Sequence, residues 1–281
     1  MSYSDNEAAN YGQHPILLIM FQRGTKIWYY NNQDEDLVAD GHTWLGKDIP
    51  ISMDGNRQSG DPTQDSVTFT VPSFLPVATL FTNLATSGGI LCRVRRTFAE
   101  DMTDLRQYWS GLITTRRMVS PAAYQLIGQL ISYSGSTQGV RLREGRGCTY
   151  QLYQQFNTCT VSKADHAHTS RILIKDGASV TAETMPTGVP WADAYTGGFL
   201  TFEYEPGITE QRGILLQEGS KLTLLGGTAG MDNNTILTIN PGCPRNWESC
   251  GRLYNNQVNY GGDPVFPGIS PFTTAIFNQG S

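Results

Sequence analysis

Apolar and polar positions alternate at period two along most of this chain, and Gly, Asn, Asp or Pro turn signals break the alternation roughly every ten residues. In DSVTFTVPSFLPV, Val67, Phe69 and Val71 fall on one side; in GILCRVRRTF, Cys92 and Val94 share one side while Leu91, Arg93 and Arg95 take the other. PILLIMFQRGTKIWYYNN predicts a hairpin turning at Arg23-Gly24, and DEDLVADGHTWLG carries an Asp-Gly turn. RQYWSGLITTRRMVS and AAYQLIGQLISYS continue the meander of short strands. From Arg171 onward RILIKDGASVTAE, GGFLTFEY, RGILLQEGSKLTLL and NNTILTINPGC form a second set. Only short helices are expected, near Leu80–Leu84 and near Tyr150–Gln155. The fold class that follows is mainly β: a barrel or sandwich domain with an inserted second β module and an irregular, cysteine-bearing C-terminal loop. The predicted division is a flexible N-terminal arm over 1–14, a main β domain with the cysteine site over 15–164 plus 240–281, and the inserted β module over 165–239.

Composition sharpens this picture. Thirty glycines and fourteen prolines in 281 residues suit a turn-rich β protein. Charged residues make up only 16%, so much of the surface is neutral and polar, as in proteins that live inside assemblies. The net charge of −5 gives no overall electrostatic footprint for nucleic acid. Locally, nine arginines between Arg93 and Arg146 face only Glu100, Asp101, Asp104 and Glu144. The plain reading is strand positions on a solvated face; the sharper one is a basic face for an acidic partner or a passing polyanion. PILLIMF is too short for a membrane helix and has no basic leader, so it reads as a buried strand and predicts synthesis in the cytoplasm, where thiols stay reduced.

The chain has five cysteines. Cys92 sits in a strand pattern and reads as a small buried hydrophobe. The others form two pairs in Gly-flanked loops, Cys148 with Cys159 and Cys243 with Cys250. Four thiols in a reducing compartment suit a tetrahedral thiolate site, zinc or an iron–sulfur cluster. The intervals match no C-x₂₋₄-C zinc knuckle and suit a bulkier cluster. Arg143, Arg146, Arg245 and Arg252 lie near enough in sequence to offset its charge. Four unligated cysteines, or two disulfides formed after release from the cell, are the competing readings, and spacing leaves them open.

Motifs for catalysis are absent: there is no G-x-S-x-G elbow, H-E-x-x-H, P-loop or dinucleotide fingerprint. Asp165–His168, DHAH, offers two imidazoles at i and i+2 but reads as a polar turn, and DEDLVADG lacks the ligand pattern of a calcium loop. The widely spaced cysteines also differ from the compact runs of electron-transfer proteins.

One stretch carries a resemblance. GCPRNWESCGRLYNNQVNYGGDPVFPG, residues 242–268, resembles the C-terminal signature of tail-tip (baseplate) hub proteins of long-tailed phages and gene transfer agents, the lambda minor tail protein L type. The pattern is Gly242-Cys243, Cys250, Tyr254-Asn255-Asn256, Asn259-Tyr260-Gly261-Gly262 and Pro267-Gly268. GRGCTYQLYQQFNTC is similar to the family's earlier cysteine pair, and the hairpin from Leu17 to its opening; Asp263 departs, standing where the family commonly has an aromatic. The resemblance implies a structural virion protein and no enzyme. It implies a [4Fe–4S] cluster on Cys148, Cys159, Cys243 and Cys250, with structural zinc as the alternative. It further implies a β hub forming a homotrimeric ring at the distal end of the tail. The partners implied are the distal tube ring, the tape-measure protein, the central tip or receptor-binding protein and, transiently, exiting DNA. A tail-associated cell-wall or glycan hydrolase is the runner-up reading.

Overall fold

The computed structural model describes residues 15–54, 66–81, 87–99, 101–130, 145–154, 159–186 and 194–266. The arm expected over 1–14, Arg141, Arg143 and the Pro267-Gly268 close lie outside the described residues. Two compact units are present, Met1–Gln138 with Tyr204–Glu210, and Gly139–Glu203 with Gln211–Ser281.

The first unit is built on an antiparallel sheet of seven strands. Its strands are β1 (Ile16–Arg23), β2 (Lys26–Asn31), β5 (Ser52–Asp54), β6 (Ser66–Pro72), β7 (Ile90–Phe98), β8 (Asp101–Ser120) and β9 (Ala123–Leu130). Their order is β2-β1-β7-β8-β9-β6-β5. The period-two pattern sends Phe21, Val67, Phe69, Val71, Cys92, Val94 and Leu126 into one core, where each is almost fully buried. The Phe69 ring meets Phe21 and Trp109 edge-on, with centroids 5.7 Å away in both cases. Ile16 and Leu18 face the other way. They are covered by a small hairpin of β3 (Leu37–Ala39) and β4 (His42–Trp44), which buries Ala39 and Trp44 against them.

This unit also takes in a distant piece of chain, the turn Tyr204–Glu210. Ile208 is fully buried in the same core as Phe21 and Phe69. Glu210, 1% exposed, pairs with the equally buried Arg23 and accepts from the backbone N–H and hydroxyl of Ser87, both at 2.9 Å. Thr25 N–H donates to Gly207 O at 3.1 Å. Burying an isoleucine side chain is worth about 1.5–3 kcal/mol, whereas a buried ion pair roughly breaks even against its desolvation. Ile208 therefore anchors the turn, and the Arg23–Glu210 pair fixes its register.

The second unit contains a closed six-stranded barrel, β10-β11-β14-β13-β12-β15. Its strands are β10 (His168–Asp176), β11 (Ser179–Ala182), β12 (Phe199–Glu205), β13 (Ile208–Glu218), β14 (Lys221–Leu224) and β15 (Ile236–Asn240). Ile172, Val180, Leu200, Phe202, Ile214, Leu222, Leu237 and Ile239 fill it. Register shifts at Ile172/Ile174 and Ile214/Leu216 mark bulges, and beside them Leu173, Ile174, Leu215 and Leu216 are each at least 45% exposed.

The mainly β fold agrees with the alternation read from sequence, and the helices differ. One short helix, α1 (Pro76–Thr79), begins at Pro76, whose φ is preset and which has no N–H to lose, while residues 82–84 of the helix expected near Leu80–Leu84 lie outside the described residues. Tyr150–Gln154 turns instead of forming a helix, with Tyr153 at φ 65°. The irregular C-terminal loop contains a regular element, α2 (Trp247–Tyr254), capped by the Asn246 side chain on Ser249 N–H and closed by Asn255 in the left-handed region. The cysteine-bearing segments, expected to belong with the first sheet, are grouped with the barrel. Hydrogen bonds join these segments to each other and to Pro241, just past the end of β15.

Candidate metal centre

Each of the four paired cysteines is set in place by its own local chemistry. Cys243 follows the end of β15 by three residues, and Arg245, held at φ 60°, turns its N–H back onto Cys243 Sγ at 3.4 Å. Cys250 rides in the first turns of α2, its N–H donating to Asn246 O at 3.1 Å. Cys148 is pinned by its N–H to Arg245 O at 2.8 Å, and its Sγ accepts from Gly261 N–H at 3.3 Å. Cys159 is held by Asn256, whose side-chain amide donates to the Cys159 carbonyl and lies 3.9 Å from its Sγ.

The Asn- and Gly-rich stretch after α2 thus joins the two cysteine segments. Asn259 donates to Thr160 Oγ1 at 2.9 Å and Asn256 Oδ1 at 2.7 Å. The Tyr260 hydroxyl lies between two carbonyls, Arg146 O and Arg245 O, the latter at 3.0 Å. Gly261 lies flat on the Tyr150 ring, where a Cβ would come within 2.6 Å of ring atoms. Behind the site, Tyr153 and Tyr254 both donate to Pro241 O, at 2.9 and 3.3 Å, and Tyr254 also to Gly242 O at 3.0 Å. Burial pushes the Tyr153 hydroxyl up to about 12 and the Tyr254 hydroxyl higher still, so both stay protonated donors.

All four cysteines line one cavity of about 160 Å³, together with Tyr150, Arg245 and Tyr260. Cys159 and Cys250 are buried, Cys148 and Cys243 half-buried, and all are free thiols. Burial, and then the negative charge of its neighbours Cys243, Cys159 and Cys148, pushes the Cys250 thiol up to about 11. Burial likewise raises Cys243, against the opposing Arg245 N–H bond. These shifts favour the neutral thiols of Cys243 and Cys250. Among the described residues no three Cys, His, Asp or Glu side chains converge tightly enough for a single ion. The four cysteines line a common space, and backbone N–H groups of Arg245 and Gly261 are aimed at two of their sulfurs, Cys243 and Cys148.

Other sequence candidates are placed elsewhere. Cys92 is buried in the first unit's core, and burial raises its thiol well above the ordinary value. Of the arginines near the cysteines, Arg245 lines the cavity, Arg252 pairs with Glu248 on the exposed side of α2, and Arg146 donates to Phe266 O. His166 lies edge-on to Tyr254 and His168 reaches Thr184 O at 3.1 Å, so the two imidazoles have separate partners. Asp36 in DEDLVADG accepts the N–H groups of Gly46 and Lys47, which lower its pKa, and serves as a loop clamp. The arginines of β7 and β8 are dispersed: Arg116 stacks on Tyr124 at 4.0 Å, Arg106 pairs with Asp104, and Arg95 with Asp40.

With this geometry in place, comparison with known proteins is informative. A sequence family described as "Phage conserved hypothetical protein BR0599" matches residues 193–269, the span from the second half of the barrel through α2 and the Asn/Gly stretch. A chain in the virion of a native gene transfer agent (GTA) particle superposes with a TM-score of 0.74 at 14% identity, covering 99% of this chain and 96% of that one. The two chains share a fold. No match is found among curated proteins.

Proposed function

We propose that this chain is a structural protein of a phage or gene transfer agent virion. In this reading it is a hub at the distal end of the tail, stapled by a [4Fe–4S] cluster on Cys148, Cys159, Cys243 and Cys250. The observation that carries the reading is the fold shared over 99% of the chain with a gene transfer agent virion chain. The phage-family match over 193–269 covers the two C-terminal cysteines. The one cavity lined by all four thiols supports the cofactor. A role in assembly also accounts for the apolar side chains on the barrel's outside, among them Leu215, Leu225 and Ile236, each more than half exposed.

As a hub the chain forms a homotrimeric ring between the tail tube and the central tip or receptor-binding protein, in contact with the tape-measure protein and passed by the exiting DNA. The cluster is structural: it ties Cys148 and Cys159 to Cys243 and Cys250, and no redox step or catalytic residue is assigned. Its thiolates would come from these four residues, and Arg245 would offset part of their charge.

Anaerobic purification tests the cofactor. Brown protein with broad visible absorption, and iron and sulfide in equal amounts, is expected; colourless protein with one zinc per chain would replace the cluster with zinc. Electron microscopy of particles carrying a tagged copy tests the location, and density for the tag anywhere but the distal tail overturns the hub role.

A further inference from the structure

A second built recess lies on the first unit, on the sheet face that the β3–β4 hairpin covers. Tyr29, Met20 and Arg93 are direct cross-strand neighbours on β2, β1 and β7, so their side chains leave the sheet on one face. Trp44 is buried beside them, and its indole N–H donates to Ala39 O at 3.0 Å. The hairpin's two-residue turn, Asp40-Gly41, has positive φ at both positions (52° and 71°), as a tight primed turn requires. Asp40 at that turn takes an ion pair from Arg95 at 2.5 Å, which holds the turn beside β7. The His42 ring stacks flat on Tyr29 at 4.3 Å, and Trp44 meets Tyr29 edge-on at 5.0 Å. Between hairpin and sheet a cleft of about 70 Å³ remains.

The charges in this cleft do not cancel. Arg95 is neutralised by Asp40. Arg93 also lines the cleft and is exposed, and among the described residues it has no hydrogen-bond or ion-pair partner. One uncompensated guanidinium therefore stands at a rigid aromatic recess with room for about two water-sized groups, taking roughly 30 Å³ for each. That is the size of a carboxylate and its adjoining methylene, and too small for a nucleotide base. A guanidinium fork matches the two oxygens of a carboxylate, and Met20 and Trp44, which also line the cleft, suit the apolar stem. A nucleic-acid backbone calls for rows of cations; here two arginines line the cleft and one of them is paired with Asp40, on a chain of net charge −5.

We propose that the Arg93 cleft is a docking point for a single acidic side chain of a partner protein. Only the source of that side chain, a neighbouring virion protein, rests on the function proposed above. The intact protein is titrated with N-acetylglutamyl amide, whose sole charge is the side-chain carboxylate, while the Trp44 indole and His42 ring signals are followed by NMR. A saturable shift confined to the cleft is expected. The glutaminyl counterpart and the Arg93→Gln variant should each bind at least about tenfold more weakly, the loss of one charge-assisted hydrogen-bonded pair. Arg93→Lys, which keeps the charge without the fork, should retain weakened binding. No shift in the unaltered protein, an equal response to the glutaminyl compound, or indifference to Arg93→Gln overturns the proposal. Tighter binding of inorganic phosphate than of the glutamyl probe also overturns it, in favour of a phosphate-bearing partner. Iron and sulfide content of the same samples reads the cofactor separately, so the two ideas fail independently.

Discussion

Gly261 shows how closely the cysteine site is fitted. Its N–H points at Cys148 Sγ, and its missing side chain leaves room for the Tyr150 ring 2.6 Å from where a Cβ would be. A ring cannot yield as a flexible chain end can. Gly261→Ala must therefore move either Tyr150 or the Gly261 backbone, and both line or point into the cysteine cavity. The expected cost is about 1–3 kcal/mol, with lower iron retention after gel filtration. Gly145→Ala, where a Cβ meets open space, is the matched control and should change neither. A second effect at this scale concerns Tyr30, buried in the first unit with its hydroxyl pushed up to about 12 from 10.0 by desolvation. The folded chain keeps this proton where the unfolded chain loses it. Stability from Tyr30 is thus complete below pH 10 and falls as pH rises towards 12, by up to about 2–3 kcal/mol at 1.36 kcal/mol per unit. Urea midpoints measured through this range should decline less steeply in Tyr30→Phe; equal slopes would show that the buried hydroxyl is not the cause.

Among the elements, the turn between β12 and β13 makes the sharpest demand. Ile208→Ala removes a fully buried side chain and should cost about 2–4 kcal/mol. Glu210→Gln leaves the buried Arg23 with an uncompensated charge and should cost about 3–5 kcal/mol. Replacing Arg23 and Glu210 together by Met and Leu should recover most of that loss; denaturation curves of the two single variants and the double one decide. Nothing in the sequence links positions 23 and 210, because a buried ion pair across so long a separation has no local pattern. The strands, by contrast, are legible, since alternation such as Val67, Phe69, Val71 is itself the mark of a half-buried sheet. The helix Trp247–Tyr254 has signals that were readable, Asn246 as cap, Glu248 in the first turn and Arg252 in the last, but Gly251 and the surrounding Asn and Gly residues mask its short apolar face. A shared site for Cys148, Cys159, Cys243 and Cys250 is expected from the sequence, but the contacts that bring them to one cavity are not. That convergence depends on Asn256, Asn259 and Tyr260 bridging to Cys159, Thr160 and Arg245, and sequence distance carries no trace of those contacts.

At the scale of the whole molecule, the four cysteines lie on two stretches of chain separated by the barrel, which the proposed cluster would tie together. Cys159 and Cys243 stand more than eighty residues apart, so a rigid group bonded to both closes a long loop. By the chain-entropy estimate such closure is worth at most about 4–5 kcal/mol. Without the group the thiols stay protonated, as the raised Cys243 and Cys250 require, and the hydrogen bonds of Asn256, Asn259 and Tyr260 remain. The cofactor-free chain should consequently keep its fold with a weakened site, not collapse. Chelation of the proposed cluster's iron under anaerobic conditions, followed by hydrogen exchange, tests this directly. Protection should fall at 145–154, at 159–161 and over 242–262, while β1 to β9 exchange as before. Cys250→Ser should reproduce the pattern with no iron to remove, and Cys92→Ala, buried in the first unit's core away from the cavity, should leave protection at the site intact. Unchanged exchange at the cysteine segments after chelation would mean that the staple holds nothing, and loss of protection throughout β1 to β9 would mean that it acts well beyond the chain it closes.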